Sequence, residues 1–127
     1  MSEREVPRTG AIVWRDLTVR DAESIQRFYS EVVGWSAVPF EGDFNMMIPG
    51  EEGPVAGICH ARGENSKLPA QWLMYVTVRD LNGSVLAATK GGGKVVDGPR
   101  AMGNARFCVI QDPAGAVIAL LQPGMSA

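Results

Sequence analysis

The side chains that could do chemistry in this sequence are few. Asp16 and Arg106 both lie in β-rich runs. The Asp16 carboxylate could act as a general base or bind a cation. The Arg106 guanidinium could bind an anion by two parallel hydrogen bonds. His60 is the only histidine, so a catalytic triad has little support. Cys59 and Cys108 have neither CxxC nor zinc-like spacing and are expected to be reduced thiols.

Composition narrows the function classes. The 127 residues are 46 % hydrophobic and 20 % charged, as expected for a globular protein. The net charge of −2 includes no basic run that would neutralise phosphates, so nucleic acid is not an expected partner. The apolar runs are too short for a membrane helix, and residues 1–8 lack the apolar core of a signal peptide. We therefore expect a cytoplasmic protein without a membrane partner.

The chain contains an internal repeat. Thr18-Val19-Arg20-Asp21 recurs as Thr77-Val78-Arg79-Asp80, 59 positions later. Each copy ends a β-rich run, at 12–19 and 72–78, and each is followed by a helix-like stretch. Repeated order of this kind predicts two structurally similar units.

The helices have recognisable ends. Asp21 is a predicted N-cap, and an apolar stripe of helical spacing follows it, formed by Ile25, Phe28, Tyr29, Val32 and Val33. The second helix is predicted over 81–90, with a weaker stripe. Gly34 and Gly93, again 59 apart, are predicted left-handed C-caps.

Three strands are predicted after each helix. They lie near 36–41, 44–48 and 55–60 in the first half, and near 94–97, 105–111 and 116–122 in the second. The result is an α+β protein with two βαβββ repeats, at 11–60 and 72–123, joined by a polar linker over 61–71 and flanked by tails at 1–10 and 124–127.

The sequence resembles the vicinal oxygen chelate superfamily, which contains glyoxalase I, bleomycin-resistance proteins and extradiol dioxygenases. The similarity rests on Asp21 followed by Phe28-Tyr29 and Gly34-Trp35, and on the later Asp112-Pro113-Ala114-Gly115-Ala116. Gly10, Trp14 and the stretch 72–75 further resemble a glyoxalase-like subgroup. The resemblance implies a curved eight-stranded mixed sheet around a cavity, with the helices outside, and a homodimer. In active members a divalent metal in that cavity chelates the substrate.

The same resemblance locates the metal ligands on the first and last strand of each unit. The ligands stand seven residues before the Asp that opens each helix, or seven residues after the Asp of the last turn, which gives Trp14, Leu73 and Ala119. Aligning the stretch 53–55 with 115–117, an offset of 62, adds Gly57 as the fourth position. None of these side chains offers oxygen, imidazole or thiolate to a cation. We therefore predict no metal and no other cofactor.

Strand alternation then assigns faces. If the ligand positions mark the cavity, its lining includes Trp14, Asp16, Cys59, Leu73 and Tyr75. Whether Arg106 faces the cavity is left open. The residues that point the other way, expected to pack beneath the helices, are Leu17, Val19, Met74, Val76 and Val78. Trp14 could stack on a ligand, or it could simply fill the space that a metal would occupy. Asp16 could be catalytic, or it could be a solvated carboxylate or one paired with Arg15 or Arg106.

Three functions remain open at this point. The first is binding of a small, flat, largely apolar molecule without metal. The second is a metal-independent lyase, isomerase or similar enzyme that uses Asp16 as acid or base. The third is a scaffold domain whose cavity is filled by its own side chains.

Overall fold

A computed structural model describes residues 8–42 and 44–124. Eight strands and two helices occur in the predicted order β-α-β-β-β, twice. They are β1 (Ile12–Val19), α1 (Ala22–Val33), β2 (Trp35–Glu41), β3 (Phe44–Pro49), β4 (Ala56–His60), β5 (Trp72–Thr77), α2 (Leu81–Lys90), β6 (Lys94–Met102), β7 (Ala105–Gln111) and β8 (Val117–Gln122). A short 3₁₀ helix, Gly63–Asn65, lies in the predicted linker. Strand pairing is both parallel and antiparallel, as expected for the mixed sheet of this α+β fold.

The chain divides into two compact units. The first unit is residues 14–73, and the second is residues 8–13 together with 74–124. The start of β1 therefore groups with the second half of the sequence. Backbone hydrogen bonds tie it there, from Gly10 N to Thr77 O at 2.8 Å and from Thr77 N to Ala11 O at 2.9 Å.

In the first unit the strands lie in the order β2-β3-β4-β1. β1 and β4 are parallel, with Asp16 beside Gly57 and Thr18 beside Cys59, while β3 is antiparallel to both β2 and β4. The face that carries Leu17 and Ile58 packs under α1, and the core there consists of Leu17, Ala22, Met47, Ala56 and Ile58. Because side chains alternate, Asp16 and Gly57 lie on the opposite face.

Helix α1 begins and ends as predicted. The Asp21 carboxylate accepts a hydrogen bond from Ser24 N at 3.4 Å, and Gly34 closes the helix in the left-handed conformation at φ +83°. The apolar stripe is only partly buried. Ile25 and Tyr29 pack against the core, whereas more than half of Phe28 and Val32 remains exposed.

In the second unit the strands lie in the order β5-β8-β7-β6. β5 and β8 are parallel, with Tyr75 beside Ala119. This pair is the counterpart of Asp16 and Gly57 at the offsets of 59 and 62 used to align the repeats. Two independent strand pairs therefore have the same register.

Three expectations for the second unit are corrected. Gly93 is not the left-handed cap. α2 ends at Lys90 with Gly91 as its C-cap, and Gly92 has φ +98°. Gly93 is required for a different reason, because a Cβ there would lie 2.7 Å from the Gln111 carbonyl oxygen. Strand β6 does not end at Asp97 but continues through a register shift to Met102.

The third correction concerns Met74, which is almost half exposed and not packed beneath a helix. Helix α2 packs on β6, β7 and β8 and so leaves this part of β5 uncovered. Neither helix of the described residues is long and apolar enough to cross a membrane.

Candidate functional site

Trp14 and Asp16 form a bonded pair on β1. They are two residues apart on a strand and so project from the same face. The indole Nε1 donates a hydrogen bond to Asp16 Oδ1 at 2.7 Å. Asp16 is 7 % exposed and Trp14 is half-buried. The indole therefore fixes the orientation of a nearly buried carboxylate, and Arg15, a suggested partner of Asp16, donates instead to the Val55 carbonyl oxygen at 2.8 Å.

Gly57 lies under this carboxylate and under an aromatic ring. A Cβ built at position 57 would overlap the ring of Phe44 and Asp16 Oδ1. Gly57 has no positive φ, so this glycine is needed for close approach and not for backbone conformation. Phe44 and Asp16 thus occupy the space that any side chain at position 57 would require.

Apart from Thr18 and Ser36, the side chains on the rest of this face of the first unit are apolar. Phe44 pairs with Cys59, Met46 pairs with Gly57 and with Val38, and the rings of Phe40 and Phe44 meet edge to face at 5.7 Å. Cys59 is buried, while Phe40 is 56 % exposed and Val38 also reaches solvent. Thus Trp14, Val38, Phe40, Phe44 and Met46, with Asp16 as the charged member, form what we call the Asp16 face.

On the second unit the corresponding face carries Tyr75. Its ring lies 6.3 Å from that of Phe107, and Phe107 in turn carries the Arg100 guanidinium at 4.6 Å from its centroid. Arg100 Nε and Nη2 both donate to Asp97 Oδ2, at 3.1 and 2.9 Å. Tyr75 and Ala119 are almost completely buried, as is Leu73 at the end of the first unit, so side chains of the chain itself already cover these positions.

Arg106 and His60 lie away from these groups. Arg106 neighbours Phe107 on β7 and pairs with Gln122, which places it on the opposite face from Tyr75. Arg100 is the arginine on the Tyr75 face. His60 pairs with Val19, on the side of Leu17 and Ile58, and so lies on the opposite face from Cys59.

Both cysteines are buried and neither is in a disulfide. Burial, and to a smaller degree the negative charge of Asp97, raises the pKa of the Cys108 thiol. A thiol with a raised pKa is protonated at neutral pH and is a poor nucleophile, so Cys108 has a packing role.

Sequence reasoning missed Phe40, Phe44, Asp97 and Arg100. Alternation along β2 and β3 could have placed both phenylalanines on the Asp16 face. The aspartate and arginine were missed because Gly98-Pro99 resembles a turn, which ended the predicted strand before Arg100. Their spacing, Asp followed three residues later by Arg, is the signal that could have found them.

The four positions where the resemblance predicts metal ligands do not fit a cation. The indole of Trp14 can only donate, and Leu73 and Ala119 are apolar and buried. At Gly57 the room for a ligating side chain is filled by Phe44 and Asp16. In residues 8–42 and 44–124, no group of three or more His, Cys, Asp or Glu side chains is placed to hold a metal ion.

Comparison with known families agrees with this topology. The model of the Glyoxalase-like domain family matches residues 12–121, which is most of the chain. The chain belongs to that family. As a glyoxalase-like domain it is a member of the vicinal oxygen chelate superfamily, as the sequence motifs indicated.

The glyoxalase-like domain has curated relatives in mycobacteria. It is 31 % identical over 128 residues to "Putative glyoxylase CFP32" of Mycobacterium tuberculosis and to the protein of the same name in Mycobacterium bovis. The alignment covers 96 % of this chain and 49 % of each relative. The chain therefore spans about half the length of the curated relatives it matches.

Solved structures show the same fold at low sequence identity. A Streptomyces coelicolor methylmalonyl-CoA epimerase variant, solved with 2-nitronate-propionyl-CoA, has a TM-score of 0.57 and 14 % identity, covering 93 % of this chain and 100 % of that one. A glyoxalase/bleomycin resistance protein/dioxygenase superfamily member from Vibrio splendidus has a TM-score of 0.56 and 15 % identity, covering 87 % and 97 %. These likenesses concern the fold alone.

Proposed function

We propose that this glyoxalase-like domain binds a small, flat, largely apolar molecule on the Asp16 face, without a metal ion. The observation that supports this is the combination at Gly57. A carboxylate held by Trp14 and the ring of Phe44 take the space that a metal-ligating side chain would need. The exposed ring of Phe40 lies next to Phe44 and extends the apolar surface to solvent.

The chemistry of this face defines the ligand. Aromatic rings bind a planar molecule by stacking and edge contacts at a low cost in side-chain entropy. The Asp16 carboxylate can accept hydrogen bonds, so it favours a ligand with an N–H or O–H group near one end. Small-molecule sites are usually lined by many apolar side chains and a few polar groups, and the Asp16 face has this composition.

The proposal is tested with N-phenyl-1-naphthylamine, a neutral aromatic fluorescent probe that carries one N–H group. Because Phe40 offers a largely exposed ring, Phe40→Ala should weaken probe affinity about tenfold while leaving the fold intact. The control is Leu86→Ala on α2, which removes an apolar side chain that is 66 % exposed, against 56 % for Phe40, from outside this face. Equal affinity of Phe40→Ala and wild type, or an equal loss in Leu86→Ala, would rule out binding on the Asp16 face.

A second candidate, metal-independent acid–base catalysis by Asp16, is favoured by the burial of its carboxylate and its fixed bond to Trp14. An Asp16→Asn variant that keeps probe affinity but loses turnover of a substrate would support it.

The third candidate, a scaffold, draws support from the burial of Leu73, Tyr75 and Ala119. Failure of the wild-type protein to bind the probe would favour that function.

A further inference from the structure

Helix α2 begins with an asparagine that is followed directly by a glycine. Asn82 is exposed and Gly83 is half-buried, and they occupy the second and third positions of the helix. The other three asparagines of the chain, at positions 45, 65 and 104, precede methionine, serine and alanine. Asn82 is thus the one asparagine whose following residue has no side chain.

The start of the helix requires this glycine. A Cβ built at position 83 would lie 2.6 Å from Asp80 Oδ2, whereas Gly83 has no positive φ. The Asp80 carboxylate therefore lies over position 83 because no side chain is present there. Glycine is also a poor helix former, so the first turn of α2 distorts more easily than a turn that contains alanine.

The backbone amide of Gly83 lies outside the helical hydrogen-bond ladder. The first amides of a helix have no carbonyl partner one turn earlier. In α2 the ladder begins at Ser84 N, which donates to Asp80 O at 2.9 Å, and Gln122 accepts the hydrogen bond of Leu81 N. Asp80 makes no side-chain cap hydrogen bond. Neither the ladder nor a capping side chain therefore holds the Gly83 nitrogen in place.

We propose that Asn82 is a site of spontaneous deamidation in the folded protein. The Gly83 nitrogen attacks Asn82 Cγ, and the new C–N bond closes a succinimide ring. The side-chain nitrogen of Asn82 leaves as ammonia and takes the proton from Gly83 N. Water then opens the ring at either carbonyl carbon and leaves aspartate or isoaspartate at position 82. No group is oxidised or reduced, and water is the only co-reactant.

The aspartate product suits the first turn of α2. A carboxylate there lies near the positive end of the helix dipole, as Glu23 does in the first turn of α1. Because position 82 is exposed, the new charge stays in water. Isoaspartate instead adds a methylene group to the main chain next to Leu81, which is fully buried, and should loosen the start of the helix. This chemistry lies on the second unit and does not depend on ligand binding at the Asp16 face of the first.

Peptide mapping by mass spectrometry tests the reaction on the intact, folded protein. During incubation at neutral pH, Asn82 should convert to a mixture of aspartate and isoaspartate, and each conversion should add one negative charge to the starting −2 on ion exchange. Asn104 is the internal control, because it is also exposed but precedes Ala105. It should convert at least about tenfold more slowly, since a side chain on the following residue hinders ring closure.

Gly83→Ala should slow the conversion of Asn82 by at least about tenfold for the same reason. The Asp80 carboxylate can rotate away from the new methyl group, and circular dichroism checks that the variant is folded. A wild-type rate in Gly83→Ala, or conversion of Asn104 as fast as that of Asn82, would overturn the proposal. So would an Asn82 that converts in guanidinium chloride but stays intact in the folded protein, because the helix would then protect it.

Asn82→Asp provides a uniform sample of the aspartate product. Its denaturation midpoint should equal or exceed that of the wild type, because the added carboxylate lies at the helix N-terminus. A lower midpoint would contradict the place given to this product in the first turn of α2.

Discussion

At the scale of single residues, the site depends on how Trp14, Asp16, Phe44 and Gly57 meet. Sequence alternation placed Trp14 and Asp16 on one face of β1, where their side chains are hydrogen-bonded, whereas the position of Gly57 beside Asp16 follows from the parallel pairing of β1 with β4, which was not predicted. Alternation could not place the Phe44 ring over Gly57, because that contact depends on the β3–β4 register and on a side-chain rotamer. The glycine predicted as an empty ligand position is in fact a required close approach.

Gly57→Ala should therefore destabilise the fold. The added methyl group would overlap Phe44 and Asp16, and overpacking of a closed site costs about 1–3 kcal/mol of unfolding free energy. Urea denaturation with a constant m-value measures the change. The matched control is Gly53→Ala, which adds the same methyl group at an exposed position with nothing within 4 Å and should change stability by less than about 0.5 kcal/mol. A Gly57→Ala protein as stable as wild type would contradict the packing described for this site.

At the scale of elements, the repeat predicted most of the boundaries because Asp, Gly and Pro mark them. β1, β7 and α2 have the predicted bounds, and Asp112 closes the β7–β8 turn by accepting from Ala114 N and Ala116 N. β6 was predicted too short because the residues of its irregular centre, Gly98-Pro99, are also typical of turns. A glycine in a bulge and a glycine in a turn look the same in the local sequence. Only the pairing of β6 with β7 shows that Gly98 lies within a strand.

The two helix starts look alike in sequence but differ in capping. Asp80, the repeat counterpart of Asp21, makes no side-chain cap hydrogen bond. Instead Gln122, at the end of β8, accepts a hydrogen bond from Leu81 N at 2.7 Å. The end of the last strand thus satisfies the first amide of α2.

Gln122→Ala should cost about 1 kcal/mol of unfolding free energy, because Leu81 N then loses its acceptor at a partly buried position. Asp80→Ala is the comparison at the residue that sequence alone would choose as the cap, and its effect should stay below about 0.5 kcal/mol. Chemical denaturation of both variants decides between the two caps. A larger loss in Asp80→Ala than in Gln122→Ala would show that the aspartate caps α2 after all.

At the scale of the whole molecule, the two units repeat one pattern of strand pairing but differ on the face where the resemblance would locate metal ligands. The first unit has Trp14, Asp16 and Phe44 there, and the second has Tyr75, Phe107 and the Asp97–Arg100 pair. The residue types at the four expected ligand positions, 14, 57, 73 and 119, can be read from the sequence alone, so the prediction of no metal needs no structure. The sequence could not choose Arg100 over Arg106, because the choice depends on the facing of β7 and on the length of β6.

We propose that this glyoxalase-like domain works without the divalent metal ion that the superfamily resemblance implies. Elemental analysis of protein purified without chelator and without a metal-affinity step tests this proposal most directly. With no suitable ligands at positions 14, 57, 73 and 119, we expect less than about 0.1 divalent transition-metal ion per chain. About one tightly held ion per chain would contradict the account.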